Sequence, residues 1–237
     1  MKIILMISAL LLVMVLALSC SKTPLTVPPT TTSGTQEVEA TSYNGVRLTP
    51  INDQLNNGLR GTQYIDRATY RLAVDGLVNK PLSLSYDDLL AYSQEVRLNT
   101  LNCVEGWNFI AKWTGPSLDS IFATAGLKPE GKIAIFYTTD DSFGGFTSLD
   151  LSYIHDNQII IALKLNDITM PAERGFPFQV VAQSKYGYKW AKWVTRIEIS
   201  DNTSFRGYWE QAGYNNNADV GGPISEFGNF AATSPPH

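Results

Sequence analysis

The residue in this chain with the clearest capacity for metal or redox chemistry is Cys103, one of two cysteines. The other, Cys20, ends an N-terminal apolar segment, so its processing would leave Cys103 without a disulfide partner. Cys103 follows a β-like run over residues 96–101 and precedes the turn-forming sequence Glu-Gly-Trp. A thiol at a strand end beside a flexible glycine can be presented as a soft thiolate to a metal or a substrate. The alternative is an inert core thiol, the usual role of an isolated cysteine.

A second candidate is the basic stretch Lys-Tyr-Gly-Tyr-Lys-Trp-Ala-Lys over residues 185–192. A glycine-containing turn can expose backbone N–H groups to a phosphate, and nearby lysines supply positive charge. The alternative is a solvated basic turn, because charged side chains are usually exposed. Just upstream, Arg174 can bind a phosphate through two parallel hydrogen bonds, whereas Gln179 can only hydrogen-bond as a neutral amide.

The other titratable residues give weaker signals. Asp140 and Asp141 follow a predicted strand, and adjacent side chains on a strand point to opposite faces, which favours a solvated turn over a carboxylate pair. His155 precedes only the final histidine, so no His-rich zinc site is indicated, and no Cys-x-x-Cys, Gly-x-Ser-x-Gly or Walker pattern occurs. A Ser-His-Asp hydrolase built on His155 stays open, although nothing in the sequence places a serine near it.

Length and charge narrow the function classes. The chain has 237 residues, enough for one well-buried domain or two small ones, and its 44% hydrophobic and 17% charged content is typical of a globular protein. The net charge of −4 becomes −5 without Lys2 of the apolar leader, leaving 17 basic against 22 acidic residues. No basic stripe is present to neutralise phosphates, which argues against a nucleic-acid partner.

The N-terminus is predicted to direct the protein out of the cytoplasm. Residues 1–20 combine a lysine, a short apolar run and Leu-Ser-Cys, which indicates an export signal and not a spanning helix. The ending resembles a bacterial lipobox with alanine at a position that usually carries leucine, so we expect Cys20 to be lipidated and the protein to be membrane-anchored. An uncleaved anchor or plain secretory cleavage is the alternative. Residues 21–45, rich in Thr, Ser and Pro, are predicted to form a flexible tether.

The remaining sequence predicts one α+β domain over residues 46–214 with mixed sheets, followed by a flexible tail over 215–237. Residues 45–67 are polar and irregular, which is typical of a surface loop. Ser-x-x-Asp at residue 85 predicts a helix through residue 92, with Leu89 and Leu90 facing the core. Pro116 opens another helix that Gly126 ends, with the apolar residues at 118, 121 and 122 on one core-facing side. Alternating or apolar runs predict strands over 70–75, 96–101, 132–139, 158–165, 177–182 and 192–200.

Several of these motifs together resemble the molybdopterin oxidoreductases of the sulfite-oxidase and periplasmic methionine-sulfoxide-reductase fold family. The resemblance rests on Cys-Val-Glu-Gly-Trp at 103–107, Trp-Thr-Gly-Pro-Ser-Leu at 113–118, Gly-Phe-Pro-Phe at 175–178, the basic stretch at 185–192 and Gly-Tyr-Trp-Glu at 207–210. It extends over most of the chain between residues 70 and 214. It implies a mixed-sheet domain that binds a molybdenum–molybdopterin cofactor.

The resemblance also assigns roles to single residues. Cys103 would be the protein's ligand to molybdenum, supported by Glu105 and Trp107. The family pattern carries His or Asn where this chain has Arg174, and Arg where it has Gln179, so the mode of cofactor binding departs from that pattern. The residues implied to contact the pterin or its phosphate are Thr138, Arg174, Gln179, Trp190, Ala191 and Lys192.

The expected function is an exported, membrane-tethered oxidoreductase that carries out two-electron oxygen-atom transfer at molybdenum on a small sulfite-like or sulfoxide-like substrate. Because no haem-attachment motif is present, electrons would come from a separate cytochrome or quinone-linked protein. The alternative is a non-catalytic lipoprotein that uses the same fold to bind a small solute or glycan. It is favoured by Gln179 in place of arginine and by the absence of twin arginines in the leader.

Overall fold

The protein is described by a computed structural model over residues 36–139 and 144–227. Asp140, Asp141, Cys20 and the predicted signal segment lie outside these ranges. The strands of the described part are β1 Ser42–Tyr43, β2 Val46–Arg47, β3 Leu72–Gly76, β4 Leu82–Leu84, β5 Glu95–Asn102, β6 Asn108–Gly115, β7 Ile133–Thr138, β8 Thr147–Asp150, β9 Ile160–Ala162, β10 Lys164–Leu165, β11 Ile168–Thr169, β12 Gln179–Val181 and β13 Val194–Ser200.

The helices are short and lie between the strands. They are α1 Tyr86–Ala91, α2 Leu118–Ala125, α3 Leu151–Asp156 and α4 Tyr208–Gln211, with single 3₁₀ turns at Ile51–Asp53, Ala172–Arg174 and Gly187–Lys189. Within the residues described here, none of these helices has the length and apolar composition needed to cross a bilayer.

The sheets are mixed, which confirms the predicted α+β class. A five-stranded sheet has the order β4-β3-β13-β7-β8, and a four-stranded sheet has the order β11-β10-β6-β5. Two-stranded sheets join β12 to β9 and β1 to β2. In the larger sheet β3 and β13 run parallel, while its other neighbours are antiparallel.

The hairpin of β5 and β6 carries Cys103 at its turn. Along β6 the residues alternate between buried and partly exposed, so Phe109, Ala111 and Trp113 point into the core. The Trp113 ring packs against Trp190, with 5.4 Å between ring centroids. The strand that follows Cys103, β6, and the basic segment at 185–192 are therefore in direct contact in the core, through Trp113 and Trp190.

The predicted first helix is confirmed, with one correction. Ser85 caps α1 by accepting a 3.1 Å hydrogen bond from the Asp88 backbone, while the Asp88 carboxylate accepts one of 2.8 Å from the Ser85 backbone. Leu89 is buried as expected, but Leu90, also predicted to face the core, is 37% exposed. Consecutive residues of a helix point about 100° apart around its axis, so α1 buries Leu89 but not Leu90.

The second predicted helix ends at Gly126 as expected, but it begins at Leu118, two residues after Pro116, because Ser117 is its N-cap. Ser117 caps α2 by accepting a hydrogen bond from the Ser120 backbone, and Gly126 ends the helix with a φ of +68°. That conformation favours glycine because a side chain would be strained there. Leu118, Ile121 and Phe122 are buried, as the sequence predicts.

The predicted strand over 158–165 is wrong as a single element. Strand β9 pairs with β12, whereas β10 pairs with β6 in another sheet. Leu163 lies between β9 and β10, and its N–H donates to the Thr114 carbonyl at 2.8 Å. Residues 159–163 are all apolar because they are buried. An unbroken apolar run carries no signal for a change of pairing partner.

Both predicted boundaries of the domain need correction. The compact unit begins at Glu37, because the Glu37 and Glu39 carboxylates accept backbone hydrogen bonds of 2.7 Å from Thr169 and Ile51. At the other end, residues 215–227 pack on the domain instead of forming a tail: Ala218 is fully buried, and its carbonyl accepts a 2.8 Å hydrogen bond from Tyr186. Polar segments of this kind are held by hydrogen bonds to distant residues, which local composition does not show.

Candidate cofactor site

A cleft of about 590 Å³ collects most of the predicted site residues. Its walls come from the loop 56–62, the turn 103–107, the segment 174–193 and the region of α4. The predicted residues that line it are Cys103, Thr138, Arg174, Gln179, Trp190 and Lys192. Ala191 is fully buried and does not line the cleft; its carbonyl instead accepts a 2.9 Å hydrogen bond from Val180.

Cys103 lies at the first position of a tight turn between β5 and β6. The Cys103 N–H donates to the Trp107 carbonyl at 2.9 Å, and the Gly106 N–H donates to the Cys103 carbonyl at 3.1 Å. Gly106 has a φ of +91°, a conformation that glycine adopts without strain. The hairpin register, with Asn102 opposite Asn108, therefore fixes where the thiol is presented.

The Cys103 thiol is partly buried and is free of any disulfide. Burial raises its pKa, although backbone hydrogen bonds from Glu105 and Val104 act in the opposite direction, and the negative charge of Glu105 raises it further. The protonated thiol is therefore favoured at neutral pH. A metal that binds here must displace a proton, as is usual for thiolate ligands.

Glu105 connects the cysteine turn to the loop 56–62 through hydrogen bonds. Its Oε2 accepts a 2.8 Å hydrogen bond from the Trp107 indole and one of 3.1 Å from the Asn57 amide. Glu105 and Trp107, which were expected to support the turn, are thus hydrogen-bonded to each other. Asn57, which sequence reasoning left unassigned, connects the turn to the loop 56–62.

Arg174 places a buried positive charge in the wall. Its side chain is almost fully buried, its Nη1 donates to the Leu55 carbonyl at 2.9 Å, and its guanidinium lies 4.5 Å from the Phe109 ring centre. Burial lowers its pKa to about 10, so it remains charged at neutral pH. Its Nε is buried without a hydrogen-bond partner among the described residues.

Thr138 and Gln179 lie at the ends of two strands that border the cleft. Thr138 is the last residue of β7 and is buried in the wall. Gln179 begins β12, and its Nε2 donates to the Trp190 carbonyl at 3.3 Å. The Gln179 Oε1 is buried and has no partner in the described part of the chain. One wall therefore holds both an unpaired N–H donor on Arg174 and an unpaired acceptor on Gln179.

Lys192 is bound to the loop 56–62. Its Nζ donates to the Asn56 side-chain oxygen at 2.6 Å and also contacts the Asn57 carbonyl. The same ammonium lies 4.2 Å from the Trp193 ring centre. Lys192 is not a solvated lysine; it joins the basic segment to the rim of the cleft.

Aromatic residues line one side of the cleft, and the sequence alone predicted no role for them. Tyr188 and Trp209 both contact Tyr214 edge to face, with 5.3 and 5.4 Å between ring centroids. Tyr208 and Phe146 also line this side. The Gly-Tyr-Trp-Glu motif at 207–210 was the available signal, but nothing in its spacing indicates which of its residues face the cleft.

His155 does not belong to this site. It does not line the cleft, and its Nδ1 lies 3.0 Å from Asp119 Oδ2 in an exposed pair. An exposed His–Asp pair needs no functional explanation, since such contacts are common on protein surfaces.

Known proteins share this arrangement of sequence and fold. The family described as "Oxidoreductase molybdopterin binding domain" matches residues 59–209. The putative protein-methionine-sulfoxide reductase subunit YedZ1 of Azospira oryzae is 33% identical over 151 residues, covering 64% of this chain and 56% of that protein. The uncharacterized oxidoreductase YuiH of Bacillus subtilis is 31% identical over 157 residues, covering 66% of this chain and 77% of that protein.

Two further matches extend the comparison. The catalytic subunit MsrP of a protein-methionine-sulfoxide reductase from Campylobacter jejuni is 25% identical over 152 residues, covering 58% of this chain and 51% of that protein. The crystal structure of the sulfane dehydrogenase SoxCD from Paracoccus pantotrophus superposes with a TM-score of 0.57 and 28% identity, covering 60% of this chain and 41% of that one. The chain spans about half the length of the two methionine-sulfoxide reductase relatives. It belongs to the oxidoreductase molybdopterin-binding domain family.

Proposed function

We propose that this enzyme reduces an organic sulfoxide, with Cys103 as the protein's ligand to molybdenum. The residues of the cleft fit the cofactor. A free thiol, which is a soft ligand, lines the same cleft as Arg174 and Gln179, whose buried Nε and Oε1 atoms have no partner among the described residues. Buried polar groups are normally paired, so a polar ligand is the natural partner for both. When bound, the cofactor supplies two-electron redox chemistry and the oxygen-atom transfer.

The chain's own residues orient and enclose that cofactor. Arg174 offers a buried guanidinium, and Lys192 an ammonium at the rim, so both could hold the pterin phosphate. Thr138 and Trp190 complete the wall, and Glu105 keeps the cysteine turn in place through its bond to Trp107. Ala191 contributes through the backbone beside Gln179 and not through its side chain.

The observation that carries the substrate proposal is the aromatic wall beside Cys103. Tyr188, Trp209 and Tyr214 line the same cleft as Cys103. Aromatic rings make favourable contacts with sulfur, which suits a thioether product such as methionine. Two relatives are also named as methionine-sulfoxide reductases.

The experiment is a direct comparison of two reactions on protein purified from a molybdenum-replete host. Reduction of a methyl sulfoxide is followed with a reduced viologen dye, and oxidation of sulfite with an artificial electron acceptor. We expect molybdenum in the protein and faster sulfoxide reduction. Faster sulfite oxidation would reject the substrate class while leaving the cofactor assignment intact.

We also propose that the domain works outside the cytoplasmic membrane, tethered through a lipid on Cys20 and supplied with electrons by a cytochrome or quinone-linked protein. The support is the apolar leader that ends in Leu-Ser-Cys, followed by the Thr/Pro-rich stretch. The compact unit that contains the cleft begins at Glu37, so Cys20 is not part of it.

Replacing Cys20 with alanine is expected to release the protein from the membrane without impairing the domain, because Cys20 lies outside the compact unit. Fractionation after feeding labelled fatty acid measures the change, with Cys103→Ala as the thiol control that should keep its label. Equal label in wild type and Cys20→Ala would exclude Cys20 as the acceptor.

Replacing Lys192 with alanine is expected to lower cofactor retention by about ten- to a hundred-fold, since a charge-assisted hydrogen bond contributes roughly 1.5–3 kcal/mol. The loss has two sources: the charge itself and the contacts that hold Asn56 and Asn57 at the rim. Molybdenum per protein after dialysis measures it, with circular dichroism as the fold control.

The matched control is Lys80→Ala, which removes an exposed lysine that does not line the cleft. We expect its retention to equal that of wild type. If Lys192→Ala also keeps all its molybdenum, the segment 185–192 does not hold the cofactor.

A further inference from the structure

Two short segments of the aromatic wall border a second cavity as well as the cleft. Tyr188 and Tyr214 line the cleft. The next residues in the chain, Lys189 and Asn215, line a separate cavity of about 300 Å³. The wall is therefore backed at this place by a largely polar cavity. Because close packing normally fixes a side chain, a ring with a cavity behind its backbone depends more on polar contacts for its position.

Lys189 connects three segments behind this wall. Its side chain is almost completely buried. The ammonium donates to the Ser148 carbonyl at 3.2 Å, to Glu210 Oε1 at 2.5 Å and to Asn216 Oδ1 at 3.2 Å. An ammonium has three N–H donors, so each of them has an acceptor. One buried charge thus joins strand β8, helix α4 and the loop that follows Tyr214.

Two acceptors of this ammonium lie close in the chain to aromatic rings of the wall. Trp209 directly precedes Glu210, and Tyr214 lies two residues before Asn216. The rings of Trp209 and Tyr214 meet edge to face with 5.4 Å between their centroids. The spacing of the rings on the cleft side is consequently linked to the hydrogen bonds of Lys189 on the other side.

We propose that Lys189 is a positioning residue, which sets the spacing of the aromatic wall and thereby the affinity for substrate, in part through its hydrogen bond to Asn216. This role rests on the proposed function, in which the aromatic wall meets the substrate. Lys189 does not line the cleft, so it acts through the rings and not by contact. Changing Asn216 tests the role without breaking the Lys189–Glu210 ion pair, so no buried charge is left uncompensated.

The test compares three variants with the wild-type enzyme. Asn216→Ala removes the acceptor for Lys189, and Asn216→Asp keeps an oxygen acceptor there. Asn217→Ala is the matched control, because Asn217 lines the same second cavity but accepts from Lys185 at 3.2 Å instead. KM, and kcat per molybdenum, are measured on enzyme from a molybdenum-replete host. The reaction used is sulfoxide reduction or sulfite oxidation, whichever the wild-type enzyme carries out faster.

We expect Asn216→Ala to raise KM about two- to ten-fold, the range for one hydrogen bond, with kcat per molybdenum unchanged. A higher KM at constant kcat indicates a loss of substrate binding. Asn216→Asp and Asn217→Ala should both keep the wild-type KM. A purely structural role predicts a different result, because less folded enzyme lowers the rate at every substrate concentration and leaves KM unchanged.

A wild-type KM in Asn216→Ala would overturn the positioning role, and so would an equal rise in Asn216→Asp. Loss of molybdenum from Asn216→Ala would also overturn it, because the effect would then lie on the cofactor. Faster sulfite oxidation by the wild-type enzyme would reject the proposed substrate but not this role, since KM is compared for either reaction. If Asn216→Ala fails to fold, Lys189→Met/Glu210→Leu removes the ammonium with its counter-charge and gives the same comparison.

Discussion

Replacing Cys103 with serine is expected to remove molybdenum and turnover while leaving the fold unchanged. The loss should exceed about 100-fold, because disturbing an outer partner of a ligand already costs 10–100-fold in metal affinity. Serine has nearly the same volume but is a hard oxygen ligand, and the turn is held by backbone hydrogen bonds that the change does not touch. Molybdenum per protein and dye-linked turnover measure the result.

The control for this variant is Cys20→Ser, which removes the other thiol of the chain and should keep full molybdenum content. Near-ultraviolet circular dichroism of Cys103→Ser should match that of cofactor-free wild type. Molybdenum content and turnover at wild-type levels in Cys103→Ser would reject the ligand assignment.

The second large effect concerns stability. Lys189 and Glu210 form an ion pair with 2.5 Å between Nζ and Oε1, and both side chains are almost completely buried. Thr147 donates to the same carboxylate oxygen at 2.7 Å. Burial lowers the pKa of Lys189, and the attraction of Glu210 only partly offsets this, so the pair is costly to bury. Removing one partner leaves the other charge uncompensated.

Glu210→Ala is therefore expected to lower the free energy of unfolding by about 3–5 kcal/mol. Urea unfolding of cofactor-free protein measures it. The matched control is Asp87→Ala, which breaks the exposed Arg67–Asp87 pair and should change stability by less than about 0.5 kcal/mol.

The double variant Lys189→Met/Glu210→Leu separates the two causes of the loss. It should be more stable than Glu210→Ala, because no buried charge is left without a partner. A loss below about 1 kcal/mol in Glu210→Ala, within the range of exposed ion pairs, would contradict the account of an uncompensated charge.

The local parts of the fold and of the site could be predicted from the sequence. The cap at Ser85 and the stop at Gly126 depend on residues within a few positions, so composition and spacing reveal them. Cys103 could be singled out for the same reason, because its turn is defined by its own neighbours. Family resemblance then added Thr138, Arg174, Gln179, Trp190 and Lys192, which the structure brings to one cleft.

What could not be predicted depends on contacts between distant residues. Asn56 and Asn57 lie in a polar, irregular loop, and their place in the site follows from Lys192 and Glu105, which are far away in the chain. The packed segment 215–227 was missed for the same reason, since Tyr186 and Lys185 hold it. Family resemblance also implied that Ala191 contacts the pterin or its phosphate, but its side chain is fully buried in the core.

Family membership also decides between the two functions that the sequence left open. A non-catalytic lipoprotein remained possible because Gln179 stands where arginine is usual. The match over residues 59–209 supports the enzyme instead. The structure gives a physical reason why glutamine can be accommodated: the guanidinium of Arg174 already provides a buried cation in the same wall.

The order of the strands has a consequence for how the protein is made. The central sheet pairs β3 with β13 in parallel, with Ala73 opposite Arg196, so it cannot close before nearly the whole domain has left the ribosome. The cleft has the same property, because its walls run from Asn56 to Tyr214. Parallel pairing of such distant segments is slow. Insertion of the cofactor is consequently a late step in biosynthesis, and a nascent chain that lacks α4 presents a cleft open on its aromatic side.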